Sequence, residues 1–520
     1  MAHLAGLDYA VIAAYFIVTA LIGWWAAHGG GRNSDDLFLA GRSLGPAAVG
    51  LSLYAANVSS DTLVGLPGAA YSTGISVANY EWMAGVVLIF ACFFVLPVVM
   101  RAKVTTIPEL MERRFDSRLR LYLSAVTLFL SIVLDTAGSL YAGALVVHTF
   151  IPGMELWQMC ALIAAFTAIY TAAGGLRAVV YTDVMQTVVL LGGSIALATI
   201  VFGKFDYSWA EVTRRVNASK LQLLEPMDGP GLPWLGTFTG LPIAGFYYWT
   251  MNQYVVQRIL GARDLDAAGR ASVIAAGLKL LNLFFMVLPG AMAVALLHDL
   301  KHPDEVFPQM VAQFTPAGLT GLIVAGLVAA LMSSVSATLN SAATLVTVDF
   351  VQPYRSHMTQ KQLVWLGRAL TIGFAVLAAL WAPMITHFKG LFSYLQQMFA
   401  FVASPLVAVF LKGLWDRRLG ATAALRGLIS DHVFSALMFL LTATQVISLH
   451  FTLTAGVVLA ATWIMTDGWR RWLGAGDRPP EQGARLTVIA RQGLQRVPKD
   501  VVIASGVILL LIVAMLVVFR

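Results

Sequence analysis

The chain has 520 residues, of which 58% are hydrophobic and only 12% are charged. Soluble domains carry about 25% charged residues, so this composition excludes a soluble enzyme and a disordered protein. A disulfide scaffold is excluded because there are only two cysteines, Cys92 and Cys160, and each lies in an apolar run that predicts a buried thiol. The composition therefore predicts an all-α polytopic membrane protein.

Apolar stretches long enough to span a bilayer recur along the whole chain. A spanning helix needs about 20 mostly apolar residues. The sequence predicts about 14 transmembrane helices, two of them interrupted by polar residues. The stretches are 7–28, 46–73, 77–100, 121–149, 155–174, 180–202, 235–257, 271–298, 317–350, 364–386, 390–412, 420–442, 446–466 and 500–519.

Basic residues in the loops predict the orientation. If the N-terminus is outside, 26 of the 34 lysines and arginines fall on the inner side. Because cytoplasmic loops are enriched in Lys and Arg, both termini are predicted to be extracytoplasmic. The longest loops, 203–234 outside and 467–499 inside, are too short to form a separate folded domain.

Two of the predicted spans contain polar breaks. One is LYAANVSSDTLVGLPGAAY at 53–71, and the other is GFYYWTMNQYVVQR at 245–258. Unwound backbone in a bilayer is tolerated where it lines a cavity, and paired broken helices indicate an inverted-repeat transporter. The predicted organisation is an N-terminal helix and inner loop (1–43), a five-helix repeat (44–202), an outer loop (203–234), a second five-helix repeat (235–412) and C-terminal flanking helices (413–520).

Six charged residues fall at membrane depth, where a charge costs about 2.5–3.5 kcal/mol and is by default a functional hypothesis. Lys279 and Glu81 are the strongest candidates. Asp61 could instead cap a half-helix, and Asp183 could be interfacial. The hydroxyl-rich run 332–344 indicates either close helix packing or an oxygen-lined cation site. The six residues are Asp61, Glu81, Asp135, Asp183, Lys279 and Asp431.

Several motifs in order resemble the sodium/solute symporter family and, within it, the sodium/sugar branch. They include DLFLAGRSLG at 36–45, residues 52–83, GGLRAVVYTDVMQ at 174–186, NQYVVQRILGARD at 252–264 and SSVSATLNSAATLVTVDF at 333–350. The resemblance extends from about residue 8 to 430. It implies a LeuT-like five-plus-five inverted repeat with flanking helices. It also implies a sodium-driven secondary active symporter, not an enzyme, that imports a neutral sugar or polyol by alternating access.

The resemblance implies a set of sodium ligands, with sodium as the coupling ion. The backbone carbonyls of Ala55, Val58 and Ala330 would join the hydroxyls of Ser333 and Ser334. Asp183 and Ser336 resemble part of a second sodium site that is found in some members. The next residue, Ala337, lacks the hydroxyl that is usual there.

The resemblance also implies contacts to the sugar. Glu81, Lys279 and Gln396 would bind hydroxyl groups, with Asn57 and Thr62 beside them on the broken helix. Tyr248, next to Trp249, falls where a ring stacks under the sugar. The pattern departs from galactose-transporting members, which have other residues at the positions of Thr62, Ala84, Asp135 and Gly245.

Asp135 stands where those members have asparagine, and this changes the predicted charge of the pocket. Glu81 and Asp135 against Lys279 give a net charge of −1. We therefore expect the pocket to disfavour anions and to suit a neutral polyol or an amino sugar.

Alternative interpretations of the sequence remain open. One is a sodium- or proton-coupled symporter of a carboxylate or amino acid, with Lys279 as the anchor. Another is a transporter-like sensor or a facilitator. The expected setting is a cell membrane, in particular a bacterial inner membrane, with no nucleic acid and no obligate protein partner.

Overall fold

The structure, a computed structural model, describes residues 4–28, 42–104, 106–150, 153–171, 176–229, 231–298, 300–355, 357–474, 477 and 497–519. Within these ranges the chain is α-helical, and its β-structure is limited to two isolated bridges. The helices are α1 (Gly6–His28), α2 (Pro46–Asn57), α3 (Ser60–Thr73), α4 (Ala78–Phe94), α5 (Leu96–Ala102), α6 (Ile107–Arg114), α7 (Ser117–Phe150), α8 (Leu156–Thr171), α9 (Leu176–Gly203), α10 (Trp209–Arg215), α11 (Trp234–Thr250), α12 (Gln253–Leu260), α13 (Leu265–Ala295), α14 (Val306–Phe314), α15 (Leu319–Val351), α16 (Gln360–Trp381), α17 (Leu391–Trp415), α18 (Ala421–Ala443), α19 (Phe451–Leu473) and α20 (Lys499–Val518).

Ten helices in the described ranges are long and apolar enough to cross a membrane. They coincide with ten of the fourteen predicted stretches, and this confirms the all-α, multi-pass architecture. The other four stretches coincide with α1, with α8 and with the pairs α2–α3 and α11–α12. The count of 14 stays a prediction.

The first predicted interruption is a break between α2 and α3. Helix α2 ends at Asn57, and the Val58 N–H still donates to the Tyr54 carbonyl at 2.9 Å. Ser59 is extended, with φ −90° and ψ −178°, so α3 begins only at Ser60. The run of small polar residues favours this break because their side chains compete for backbone hydrogen bonds.

The second predicted interruption is a break between α11 and α12. The N–H groups of Met251 and Asn252 both donate to the Tyr247 carbonyl, each at 2.9 Å. Asn252 then turns extended, with φ −67° and ψ 119°, and α12 begins at Gln253. Both broken pairs are thus located where the sequence predicts them.

The broken helices lie inside the bundle. Helix α13 packs against α2 and α4, α9 packs against α2 and α15, and α11 packs against α4 and α19. Glycine permits two close approaches to α3. A Cβ atom on Gly68 would overlap the Pro303 carbonyl, and one on Gly290 would overlap the Pro67 backbone.

The boundaries of the two predicted repeats stay a prediction, although each repeat opens on a broken pair of helices. Most of the motif at 36–45 and of the inner loop 467–499 lies outside the described residues, as do residues 174–175 of the motif at 174–186. Cys92 and Cys160 are free and buried, as expected.

Candidate functional site

A cavity lies where the two helix breaks meet. It has about 660 Å³ of empty volume, part of which is open to solvent. It is bounded by α2 and α3 of the first broken pair, by α11 of the second, and by α4, α7 and α17. Its lining combines carboxylates and amides with aromatic rings: Asn57, Asp61, Thr62, Tyr80, Glu81, Ala84, Asp135, Leu241, Ala244, Gly245, Tyr248, Trp249, Phe392, Leu395, Gln396 and Phe399.

Glu81 and Lys279, both expected to bind substrate, bind each other. The Lys279 Nζ lies 2.5 Å from the Glu81 Oε2. Asn282 donates to the same oxygen at 2.5 Å, and Tyr54 donates to Asn282 at 2.6 Å. Glu81 lines the cavity, whereas Lys279 is fully buried behind it. The pairing neutralises both charges, and Glu81 can still accept a hydrogen bond from a ligand in the cavity.

Aromatic rings surround this ion pair. The Lys279 Nζ lies 5.5 Å from the centroid of the Tyr54 ring and 5.3 Å from that of the Trp249 ring. Trp249 is 1% exposed, so most of its ring packs against protein. Trp249 thus forms part of the wall of the cavity and also makes a cation–π contact with Lys279.

Two further carboxylates face the cavity. Asp135 lies in a π-helical turn of α7, Ser131–Thr136, and accepts a hydrogen bond from the Asn252 amide at 3.1 Å. Asp61 lies in the first turn of α3 and accepts a hydrogen bond from the Ser59 hydroxyl. The π-turn and the helix breaks are departures from regular helix, which are frequent at functional sites.

The remaining predicted sugar contacts also line this cavity. The Thr62 hydroxyl donates to the Asn57 carbonyl at 2.5 Å, across the first break. The Tyr248 hydroxyl donates to the Ala56 carbonyl at 3.2 Å and is 2.6 Å from the Tyr254 hydroxyl. Tyr248 thereby joins the two broken pairs, and its ring is one wall of the cavity.

A second cavity lies on the α3 side of the first. The rings of Tyr80 and Phe392 line both cavities and meet edge to face, with centroids 4.8 Å apart. Asp304 and Lys389 are among the residues of the second cavity. The ring pair therefore separates the central cavity from this second cavity, which we call the vestibule.

The predicted sodium ligands lie at the end of α2 and along α15. Among the described residues, no backbone N–H donates to the Val58 carbonyl, which follows the end of α2. The Ser333 hydroxyl donates to Asp183 at 3.0 Å, and the Ser52 hydroxyl of α2 donates to Asp183 at 2.8 Å. A free carbonyl and hydroxyls are the ligands that hard cations take. The other predicted ligands, which the structure places on the same two helices, are Ala55, Ala330 and Ser334.

Asp183, proposed with Ser336 for a second sodium, forms a buried ion pair. Its Oδ2 lies 3.0 Å from Arg258 of α12, and both side chains are 3% exposed. Arg258 also donates to the Tyr254 carbonyl at 2.6 Å. Asp183 therefore ties α2, α12 and α15 together. Ser336 lies one turn beyond Ser333 on α15.

A family profile described as "Sodium:solute symporter family" matches residues 37–430. The chain belongs to the sodium:solute symporter family. A "Sodium/glucose cotransporter" of Vibrio parahaemolyticus is 33% identical over 462 residues, which are 83% of this chain and 85% of that protein. The "Sodium/mannose cotransporter SLC5A10" of Bos taurus is 33% identical over 465 residues, covering 82% of this chain and 78% of its own length.

Solved structures give the same fold. A Na⁺-coupled sialic acid symporter in a substrate-bound outward-open state superposes with a TM-score of 0.78 at 23% identity, over 92% of this chain and 99% of that chain. Mhp1, a nucleobase-cation-symport-1 family transporter in a closed conformation, superposes with a TM-score of 0.59 at 16% identity, over 88% and 99%. The LeuT-like fold implied by the sequence motifs is confirmed.

Sequence reasoning missed part of the lining. It left Asp61 open between a functional charge and a helix cap and did not include it among the substrate contacts, whereas Asp61 lines the cavity. Tyr80 precedes Glu81, and Phe392 lies four residues before Gln396 on one face of α17, so helical spacing could have found Phe392. Asp431, by contrast, accepts a hydrogen bond from Thr462 between α18 and α19, in agreement with a structural role.

Proposed function

We propose that this protein is a sodium-driven symporter that imports a sugar or polyol without negative charge by alternating access. The central cavity carries the proposal. Its carboxylates and amides suit hydroxyl groups, and the Tyr248 ring suits the apolar face of a pyranose. Uncompensated Asp61 and Asp135 disfavour a carboxylate substrate. Sugar-transporting relatives agree with this substrate class.

Sodium binding would assemble the substrate site directly. Asn57 lines the cavity, and the next residue, Val58, offers its carbonyl to the proposed ion. An ion held between Val58 and Ser333 would fix the first break relative to α15. A break that is fixed in this way would keep the cavity in the shape that binds substrate. Sodium binding and substrate binding would then favour each other, which is the coupling that a symporter needs.

The proposed direction follows from the clustering of basic residues. On the α2 and α12 side a third cavity is lined by Arg42, Arg101, Lys103 and Arg263. We assign this side to the cytoplasm by the enrichment of basic residues there. The vestibule then faces outward, and both termini are extracytoplasmic. In this assignment the Asp183–Arg258 pair closes the inner side.

Labelling can test this orientation because both native cysteines are buried. A cysteine at exposed Ser219, in the loop after α10, should react with an impermeant maleimide in intact bacterial cells. A cysteine at exposed Arg418, after α17, should react only after permeabilisation. The reverse pattern would overturn the orientation.

The driving force is sufficient for accumulation. A sodium ion crossing 100 mV contributes about 2.3 kcal/mol. A tenfold sodium gradient adds about 1.4 kcal/mol. One sodium ion per sugar would therefore sustain a gradient of several hundredfold.

Uptake into proteoliposomes tests the proposed function. A labelled panel of neutral hexoses, myo-inositol, amino sugars, sialic acid and proline would be offered with an inward sodium, potassium or proton gradient. We expect accumulation of a sugar or polyol only with sodium. Accumulation of sialic acid or proline alone would replace the substrate class, and equilibration without accumulation would indicate a facilitator.

A further inference from the structure

One corner of the central cavity is formed by two carboxylates and an amide. Asp61 of α3, Asp135 of α7 and Asn57 of α2 all line it. The Asn57 Oδ1 is buried and, within the described part of the chain, has no hydrogen-bond partner. Asp135 is 7% exposed, and the Asn252 amide is its one hydrogen-bond partner among the described residues. Three acceptors from three different helices thus converge on a common space.

Among the described residues, the basic side chains that are buried nearby are bound to other carboxylates. Lys279, which is buried behind Glu81, is bound to Glu81 at 2.5 Å. Arg258, on the next helix segment, is bound to Asp183. Within the described ranges, no lysine or arginine forms an ion pair with Asp61 or Asp135. Carboxylates that are withdrawn from water without a counter-charge are costly, and either protonation or a bound cation would relieve the cost.

The geometry favours an ammonium group over a hydroxyl group here. An ammonium carries three N–H donors and no acceptor, whereas a hydroxyl carries one donor and two acceptor lone pairs. The rings of Tyr248 and Phe399 also line the cavity, and cations are attracted to aromatic rings. The negative charge of the corner, the number of donors that it can accept and the aromatic lining therefore all favour an ammonium group.

We infer that the preferred substrate is an amino sugar or amino polyol, whose ammonium group lies between Asp61 and Asp135 while its hydroxyl groups contact Glu81 and Gln396. This inference rests on the proposed function and narrows its substrate class. Asp135 is then the specificity-determining residue, because its carboxylate is fixed by Asn252. The ammonium would travel inward together with sodium as a second positive charge.

The test compares each amino sugar with its neutral counterpart. Proteoliposomes with a fixed sodium gradient and membrane potential are offered glucosamine, galactosamine or mannosamine, and separately glucose, galactose or mannose. We expect kcat/KM to favour at least one amine by about 10- to 100-fold, the effect of a hydrogen-bonded charge. If kcat/KM for every amine is equal to or lower than that for its neutral hexose, the inference is overturned. In that case, sodium-driven uptake of the neutral hexose would still support the proposed function. If no sugar accumulates, the proposed function itself fails.

Variants locate the preference. Asp135→Asn keeps the size and one acceptor oxygen, and we expect it to bring the ratio of kcat/KM for the amine to kcat/KM for the neutral hexose down to about 1, since the charge that favours the amine is gone. Asp431→Asn, a buried carboxyl between α18 and α19, is the matched control and should keep the preference. An unchanged preference in Asp135→Asn would overturn the inference. A lower ratio of transported sodium to transported sugar in Asp135→Asn would also overturn the inference, because it would indicate that the Asp135 carboxylate holds a sodium ion.

A binding measurement covers the case of a poorly folded variant. Thermal unfolding of the purified wild-type protein in sodium would be followed with glucosamine, N-acetylglucosamine and glucose. Acetylation removes the positive charge of the amino group. We therefore expect glucosamine to stabilise the protein at a lower concentration than N-acetylglucosamine or glucose does. Asp61→Asn should then reduce the stabilisation by glucosamine more than that by glucose. Equal stabilisation by all three sugars would overturn the inference.

Discussion

Replacement of Lys279 by methionine should destabilise the protein strongly. The Lys279 side chain is 0% exposed and the Glu81 side chain 6% exposed, with the charged atoms 2.5 Å apart. The variant Lys279→Met leaves the Glu81 carboxylate buried with Asn282 as its remaining partner. Breaking a buried pair from one side typically costs about 3–5 kcal/mol, and we expect a loss of this size in the free energy of unfolding.

A double-mutant cycle distinguishes the ion pair from simple packing. Glu81→Gln alone should also destabilise, because it leaves the Lys279 ammonium without a counter-charge. The double variant should cost less than the sum of the two single variants by about 1–3 kcal/mol. Unfolding in detergent micelles would be measured by denaturant titration, with exposed Lys301→Met as the control. Additive costs, or a loss below about 1 kcal/mol for Lys279→Met, would refute the reasoning.

Three further predictions concern sodium, the inner side and pH. Ser333→Ala removes a predicted sodium ligand and should raise the sodium concentration for half-maximal uptake; an unchanged sodium dependence would argue against the site. Arg258→Met breaks the pair with Asp183 and should increase sodium-independent downhill sugar flux, and an unchanged flux would contradict the closing role of the pair. His302, in the loop before α14, lies 3.2 Å from Asp304, whose hydrogen bond and charge raise the pKa of His302 above its ordinary value. The pair should therefore stabilise the protein fully below about pH 6.5 and progressively lose this effect as pH rises through the raised pKa. Thermal unfolding from pH 5 to 9 should show that loss in the wild type and not in His302→Gln, and equal profiles would contradict it.

Local sequence signals predicted the helix breaks well. Small polar residues at 57–62 and the polar residues after Tyr248 mark positions where a membrane helix cannot stay regular. The structure places the breaks at Val58–Ser59 and at Met251–Asn252. Such signals are local, because a break depends on residues within one turn of it.

Side-chain partners could not be predicted in the same way. Glu81 and Lys279 each stood out as a charge in an apolar stretch, but nothing local indicates that residues 198 apart in sequence form one pair. The same holds for Asp183 and Arg258, which are 75 residues apart. Their pairing depends on how α4, α9, α12 and α13 pack, and hydropathy does not specify that packing.

The role of Asp61 shows the limit of a local explanation. An acidic residue in the first turn of a helix is favoured by the helix dipole, and α3 does begin at Ser60. That explanation suffices without any ligand. Only the position of the break beside α7 and α17 shows that the same carboxylate also faces a cavity.

The most direct test of the account is sodium movement driven by sugar. Proteoliposomes would hold equal sodium on both sides at zero membrane potential, and an inward gradient of the transported sugar would be imposed while sodium-22 is followed. Tight coupling predicts transient accumulation of sodium-22 against its own gradient, which disappears when the sugar gradient is absent. Sugar entry without any net movement of sodium would contradict sodium-driven symport.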